Sequence, residues 1–111
     1  MDKKNLTTKK TFNLAVQNHK RNNLQVAKNL YKEILKTNPN FAGVHNNLGN
    51  VLKDLGEHQK AISCYEKATQ IQPDYANAHY NLGCVLDELG EFRKAISCYE
   101  KATQIQPDYA N

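Results

Sequence analysis

The sequence predicts an all-α fold of three stacked antiparallel helix pairs, and three observations lead to this prediction. All three prolines, Pro39, Pro73 and Pro107, lie 34 residues apart. The segment KAISCYEKATQIQPDYAN occurs twice without a change, at residues 60–77 and 94–111. Within each unit, apolar residues recur at steps of three and four, the period of an amphipathic helix. Since one such pair cannot bury its apolar face alone, neighbouring units must stack.

The second unit, residues 42–75, shows the helix pair most clearly. Its first helix is indicated by the apolar positions Val44, Leu48, Val51, Leu52 and Leu55. Gly56 ends that helix, because glycine adopts the left-handed conformation at little cost. The second helix places one set of residues on a common face: Ala61, Ile62, Tyr65, Ala68 and Ile71. Pro73 stops it, and Asp74 is expected to cap the next helix through its side-chain oxygen.

The first unit, residues 8–41, is the most divergent and follows a basic tail at residues 1–7. Asn22 replaces the helix-ending glycine and is the next most tolerant residue in the left-handed conformation. Thr11 and Asn18 replace a histidine and a leucine of the other units. We therefore expect looser packing at this open end of the stack.

The third unit occupies residues 76–109, and residues 110–111 begin a truncated fourth unit. A stacked array needs a polar-faced helix to cover its last repeat. The final helix is therefore expected to expose three residues as candidates for self-association: Ile96, Tyr99 and Ile105. Two interpretations stay open. Either the chain is a piece of a longer array, which we favour, or this face pairs with another copy.

Composition excludes several classes of protein. The chain is 40% hydrophobic and 23% charged, with a mean hydropathy of −0.75. No apolar run approaches the roughly 20 residues that a bilayer requires, and the N-terminus lacks the apolar stretch of a signal peptide. Three cysteines without CxxC spacing favour a reducing compartment. We therefore expect a soluble cytoplasmic domain without membrane contact.

The basic residues concentrate in the first third of the chain. Residues 1–41 carry a net charge of +7, whereas residues 42–111 carry −3. Such a patch could contact nucleic acid, but lysines scattered over a solvated helix face explain it as well. Because stacking aromatic residues are not interleaved with these charges, nucleic acid is an unlikely partner.

These repeated positions resemble the tetratricopeptide repeat. The pattern L-G…G…A…Y…A…P is carried in the second unit by Leu48, Gly49, Gly56, Ala61, Tyr65, Ala68 and Pro73. The resemblance implies a right-handed α-solenoid whose first helices line a concave groove. It also implies a protein–protein interaction scaffold that holds an extended peptide or partner segment in that groove.

Candidate groove residues come from the positions at which the second and third units differ. Five such pairs lie on the first helix of each unit, within an arc roughly 100° wide. The residues at these positions, together with those at the equivalent positions of the first unit, give the candidate groove residues. They are Phe12, Val16, Asn46, Asn50, Lys53, Asn77, Tyr80, Cys84 and Asp87. The arc indicates either a recognition surface varied unit by unit or a recent duplication of the 60–77 block.

An asparagine column borders this arc, at Asn13, Asn47 and Asn81. A carboxamide can both donate to and accept from one peptide bond, so the column could bind the backbone of a peptide. It resembles the asparagine ladder of the O-linked N-acetylglucosamine transferase repeat arm. An alternative function is therefore the substrate-selecting arm of a larger transferase. The same asparagines could instead bridge helix ends structurally.

No catalytic, metal or cofactor site is expected. His45 and His79 lie one repeat apart, as do Cys64 and Cys98. That spacing is too wide for a disulfide or for shared zinc coordination. The two histidines are expected to pack structurally, and Cys84 to face the groove as a free thiol. The sequence therefore predicts a binding module and not an enzyme.

Overall fold

The computed structural model describes the backbone of residues 3–110 and the side chains of residues 7–108. This part of the chain contains six α-helices and no strand. The helices are α1 (Lys3–Lys20), α2 (Leu24–Thr37), α3 (Ala42–Asp54), α4 (His58–Ile71), α5 (Ala76–Glu88) and α6 (Phe92–Ile105), followed by a 3₁₀ turn at Pro107–Ala110. The predicted all-α fold is confirmed.

Each helix packs against the helices before and after it in the chain, so the three pairs form one stack of 43 × 28 × 23 Å. The first helices α3 and α5 also contact each other directly, whereas the second helices α2, α4 and α6 make at most marginal contact among themselves. The first helices of the second and third repeats therefore lie closer together than any two second helices, and we call the side of the stack on which the first helices lie the inner side.

A glycine and a tyrosine set the distance between the two helices of a pair. A Cβ atom added to Gly49 would lie 2.6 Å from the Tyr65 ring, and one added to Gly83 would lie 2.7 Å from the Tyr99 ring. Real Cβ atoms do not approach this closely, because packing at such distances is repulsive. Each tyrosine ring therefore occupies the space that the facing glycine leaves open.

Three residues between paired helices adopt the left-handed conformation, as the sequence predicts. Asn22 has φ 64°, and Gly56 and Gly90 both have φ 81°. The residue after each one donates its N–H to a carbonyl five residues back, for example from Glu57 to Leu52 at 2.8 Å. These bonds close the helix ends in the Schellman pattern.

The structure departs from the expected element boundaries at two places. Helix α1 begins at Lys3, so the described part of the segment 1–7, which we expected to be a basic tail, is helical. Helix α5 begins after Tyr75, with no side-chain hydrogen bond at its cap. Asp74 therefore stands one residue too early to serve as the N-cap. Of the predicted fourth unit, Ala110 ends the 3₁₀ turn, and Asn111 lies outside the described residues.

His45 of α3 and His79 of α5 each connect their own helix to the preceding loop. Nε2 of His45 lies 2.8 Å from the Pro39 carbonyl oxygen, and Nε2 of His79 lies 2.9 Å from that of Pro73. Because a carbonyl only accepts, each Nε2 must carry the proton and donate. These contacts fit the structural role expected from the sequence.

The open end of the stack leaves a leucine exposed. Leu14 is 51% exposed, although Leu48 and Leu82 at the same repeat position are buried. Those two leucines belong to the buried core cluster, and their helices follow another helix pair, whereas no described helix precedes α1. Position in the array therefore decides burial here, since the residue type is the same.

Candidate functional site

The candidate residues all lie on the first helices of the three repeats, where they form the inner face. Four of them are exposed: Asn13, Asn77, Tyr80 and Asp87. Seven are half-buried: Phe12, Val16, Asn47, Asn50, Lys53, Asn81 and Cys84. The remaining one, Asn46, is buried. The inner face thus brings side chains from α1, α3 and α5 onto one side of the stack.

Two asparagines of the predicted column bridge neighbouring repeats. Nδ2 of Asn47 donates to the Tyr31 hydroxyl at 3.3 Å. Nδ2 of Asn81 donates to Oδ1 of Asn46 at 3.1 Å. An amide nitrogen carries two N–H groups, so each bond orients the side chain and uses one donor. Asn13 is exposed.

Asn46 lies at the floor of the inner face and not at its surface. Its residue is only 5% exposed, and its oxygen accepts the bond from Asn81. The short Asn46 side chain is covered by Asn81. Phe12 and Tyr80, at the equivalent positions of the other two repeats, are longer and extend beyond the side chains around them. Asn46 therefore supports Asn81 and does not itself present a surface.

The tyrosines of the second helices also reach the inner face, which the sequence analysis did not foresee. The Tyr65 hydroxyl donates to Oδ1 of Asn50. Tyr99 lies beside Cys84, which occupies the repeat position of Asn50, and its ring packs on Tyr80. Val16 occupies that position in the first repeat and has no polar atom, so Tyr31 pairs with Asn47 of the next repeat. The sequence contained an indication of this role, because a tyrosine recurs every 34 residues, at Tyr31, Tyr65 and Tyr99.

Burial keeps these tyrosines protonated. It raises the pKa of Tyr31 above its ordinary value, although the bond from Asn47 works in the opposite direction. Burial also raises the pKa of Tyr65, and the negative charge of Asp54 adds to the effect. The hydroxyls therefore act as neutral hydrogen-bonding groups that position the carboxamides.

The first-repeat end of the inner face is aromatic. Phe12 stacks on Phe41, with ring centroids 5.8 Å apart and an interplanar angle of 3°. It also meets Tyr31 edge-on at 6.0 Å. A cavity of about 300 Å³ opens here, lined by Thr8, Lys9, Phe12, Asn38 and Phe41. Phe12 was predicted from the sequence and Phe41 was not, although an aromatic residue ends every unit, at Phe41, Tyr75 and Tyr109.

The third-repeat end of the inner face is acidic. The Tyr80 ring packs on Tyr99 at 5.6 Å, and Asp87 is exposed about two turns further along α5. Neighbouring Glu88 is held by Nε2 of His58 at 3.1 Å. Between the two ends, Nε2 of His19 lies 2.7 Å from Asp54 and links α1 to α3. The inner face thus changes from aromatic through carboxamide to acidic along the stack.

The three predicted self-association residues lie on or beside α6, away from this face. Ile96 is 54% exposed, and Tyr99 and Ile105 are half-buried. Of the three, Tyr99 also meets candidate groove residues, since its ring packs on Tyr80 and lies near Cys84.

The described residues offer little reactive chemistry. The three cysteines are free thiols, and burial raises the pKa of Cys64 to about 11. Within residues 7–108, no three or more His, Cys, Asp or Glu side chains are grouped so that they could hold a metal ion. None of the helices within residues 3–110 is long and apolar enough to cross a membrane.

Comparisons with known proteins agree with this architecture. The family model described as tetratricopeptide repeat matches residues 40–108. Among curated proteins no match is found. Two crystal structures of MamA superpose on the chain with TM-scores of 0.85 and 0.82, each at 26% sequence identity over 93% of this chain. The chain spans only 60% and 56% of those two proteins. It belongs to the tetratricopeptide repeat family, whose helical arrays are protein-interaction scaffolds.

Proposed function

We propose that the inner face binds an extended segment of a partner protein. The observation that supports this function is the arrangement of Asn47 and Asn81. Each amide is oriented by one internal hydrogen bond and keeps one donor and one acceptor directed away from that bond. Two preoriented amides on adjacent helices suit a peptide backbone, which offers a donor and an acceptor at every residue.

The spacing of the helices matches that of an extended peptide. Packed helices lie about 8–10 Å apart, and an extended chain rises about 3.3 Å per residue. One carboxamide would therefore meet every third residue of the peptide. Because such contacts involve only the backbone, they give affinity without choosing a sequence.

The two ends of the inner face would supply the sequence preference. The cavity beside Phe12 and Phe41 fits an apolar side chain, while exposed Asp87 would attract a basic one. The two ends lie in the first and third repeats, so the distance between them is two repeat spacings. This distance corresponds to about six residues of extended peptide. The proposed ligand is therefore a segment with an apolar residue followed or preceded, some six positions away, by Lys or Arg.

A displayed library of random nine-residue peptides, selected on the 111-residue chain, tests this function. The selected peptides should be enriched in the apolar–basic pattern. The double variant Asn47→Ala/Asn81→Ala should bind them roughly 10- to 30-fold more weakly, at about 1 kcal/mol for each lost hydrogen bond. Asn29→Ala, on an exposed part of α2, serves as the matched control. Circular dichroism at the assay temperature should establish that both variants are folded.

Equal binding by the double variant and the wild type would contradict the asparagine ladder. Loss of binding in Asn29→Ala as well would place the contact outside the inner face. The alternative function, a substrate-selecting arm of a transferase, uses the same inner face, and the peptide experiment cannot separate the two. Sequencing the gene beyond the codon for Asn111 does so, since that alternative requires a catalytic domain in the same reading frame.

A further inference from the structure

Helices α4 and α6 carry the same sequence over residues 60–71 and 94–105 but have different surroundings. Helix α5 covers α4, and Tyr65 is 0% exposed there. In α6 the equivalent Tyr99 is only half-buried, and Ile96 is 54% exposed. Helix α6 thus presents a surface whose copy elsewhere in the chain packs against another helix.

The two helices differ only at their first two residues. His58 and Gln59 of α4 correspond to Phe92 and Arg93 of α6. Phe92 is 60% exposed, so a large apolar ring lies in solvent beside Ile96. The change enlarges the apolar surface of α6 and adds one positive charge at its edge.

The exposed face of α6 is complementary to itself. At 100° per residue, Arg93 and Glu100 lie on one side of Ile96, whereas Phe92 and Tyr99 lie on the other. Arg93 precedes Ile96 by about 4.5 Å along the axis and Glu100 follows it by about 6 Å, at a rise of 1.5 Å per residue. The two aromatic residues are placed in the same way, with Phe92 about 6 Å before and Tyr99 about 4.5 Å after.

We propose that a second copy of this chain docks on α6, with the two α6 helices antiparallel about a two-fold axis at Ile96. This arrangement places each Arg93 opposite Glu100 of the other copy and each Phe92 opposite its Tyr99. The two isoleucines meet at the centre. An isologous contact of this kind makes every favourable pair twice.

The charged pair is available for this contact. Arg93 and Glu100 are both exposed, and they lie seven residues apart on one helix, about 10.5 Å along the axis. They are therefore too distant to pair with each other. Neither takes part in a salt bridge among residues 7–108, where the ion pairs involve other side chains.

The dimer is expected to be weak, because one helix face per copy is smaller than the roughly 800 Å² that each partner of a standard interface buries. Sedimentation velocity from about 1 µM to 1 mM is the suitable measurement. The wild-type chain should pass from monomer to dimer in this range and should not form larger species. Ile96→Glu, at an exposed position, should keep its helical circular dichroism and remain a monomer.

Charge reversal provides the sharper test. Arg93→Glu and Glu100→Arg should each weaken the dimer by roughly 10- to 30-fold, since each replaces two attractive contacts with two repulsive ones. Mixed in equal amounts, the two variants should form a heterodimer, because both contacts again join opposite charges. Lys101→Glu changes the net charge as Arg93→Glu does but lies off this face, and it should dimerise normally.

Several outcomes would overturn the proposal. A wild-type chain that is monomeric at about 1 mM would do so, as would masses that grow beyond the dimer, which indicate head-to-tail stacking. A dimer unaffected by either charge reversal would place the contact elsewhere. The asparagine variants of the inner face should dimerise like the wild type, so a failure of the peptide-binding function leaves this test intact.

Discussion

At the scale of single residues, Gly49 and Gly43 provide a matched pair of tests on one helix. A Cβ on Gly49 would lie 2.6 Å from the Tyr65 ring, whereas one on Gly43 would find its nearest neighbour at 3.4 Å. Gly49→Ala should therefore lower the free energy of unfolding by about 1–3 kcal/mol through overpacking. Gly43→Ala should raise it by up to about 1 kcal/mol, because alanine favours a helix over glycine.

Urea unfolding followed by circular dichroism measures both changes. Gly83→Ala should cost less than Gly49→Ala, since Tyr99 is half-buried and can shift, whereas Tyr65 is enclosed. Equal stabilities for Gly49→Ala and Gly43→Ala would show that the tyrosine ring moves aside without cost.

Residue-level predictions from the sequence succeed where backbone geometry decides the outcome. The left-handed conformation of Asn22 follows from its place between two amphipathic segments. The burial of Asn46 did not follow, because it depends on which neighbouring side chain lies over it. The hydrogen bonds that join Tyr31 and Tyr65 to carboxamides depend in the same way on the register between helices. The residue spacing within one helix does not determine that register.

At the scale of helices, α4 and α6 show how much stability comes from a covering neighbour. Tyr65→Ala should cost about 3–5 kcal/mol, the range for a large aromatic residue removed from a core. Tyr99→Ala, in an identical local sequence, should cost roughly half as much, because part of its ring is already in contact with water. Urea unfolding of the two variants, at a concentration where the chain is monomeric, gives the comparison. Equal costs would mean that the neighbouring helix contributes little.

The existence of all six helices could be predicted from the sequence, since every apolar column recurs with the helical period. The start of α1 could not. Residues 3–7 lie outside the repeat pattern, so they were predicted as a tail, yet the segment contains no glycine or proline and α1 extends through it. A helix continues through residues of good propensity even where no periodic face requires it.

At the scale of the whole molecule, the stack separates two kinds of surface. The inner face is built from first helices and varies along the array, from the aromatic cavity near Phe12 to the acidic end at Asp87. The face of α6 is a copy of an internal packing surface left uncovered. Apart from Tyr99, whose ring packs on Tyr80, the two surfaces use different side chains.

The whole chain should lose stability at alkaline pH. Burial raises the pKa of Cys64 from an ordinary value of 9.0 to about 11, and it also raises the pKa of Cys98, Tyr31 and Tyr65. Above about pH 9 the unfolded chain therefore releases protons that the folded chain retains, so the free energy of unfolding falls as the pH rises. For Cys64 alone the loss should reach on the order of 2 kcal/mol by pH 11.

Urea unfolding at intervals between pH 7 and pH 11 measures this dependence. The stability should be level with respect to these groups below about pH 9 and should decline above it. Cys64→Ala should make the first part of the decline shallower, whereas the part above about pH 10 should persist because Tyr31 and Tyr65 remain. An unfolding free energy that rose between pH 9 and pH 11, or a decline with the same slope in Cys64→Ala, would contradict the assignment of this effect to the buried thiol. The pH dependence therefore reports how well the stacked repeats exclude water from their shared core.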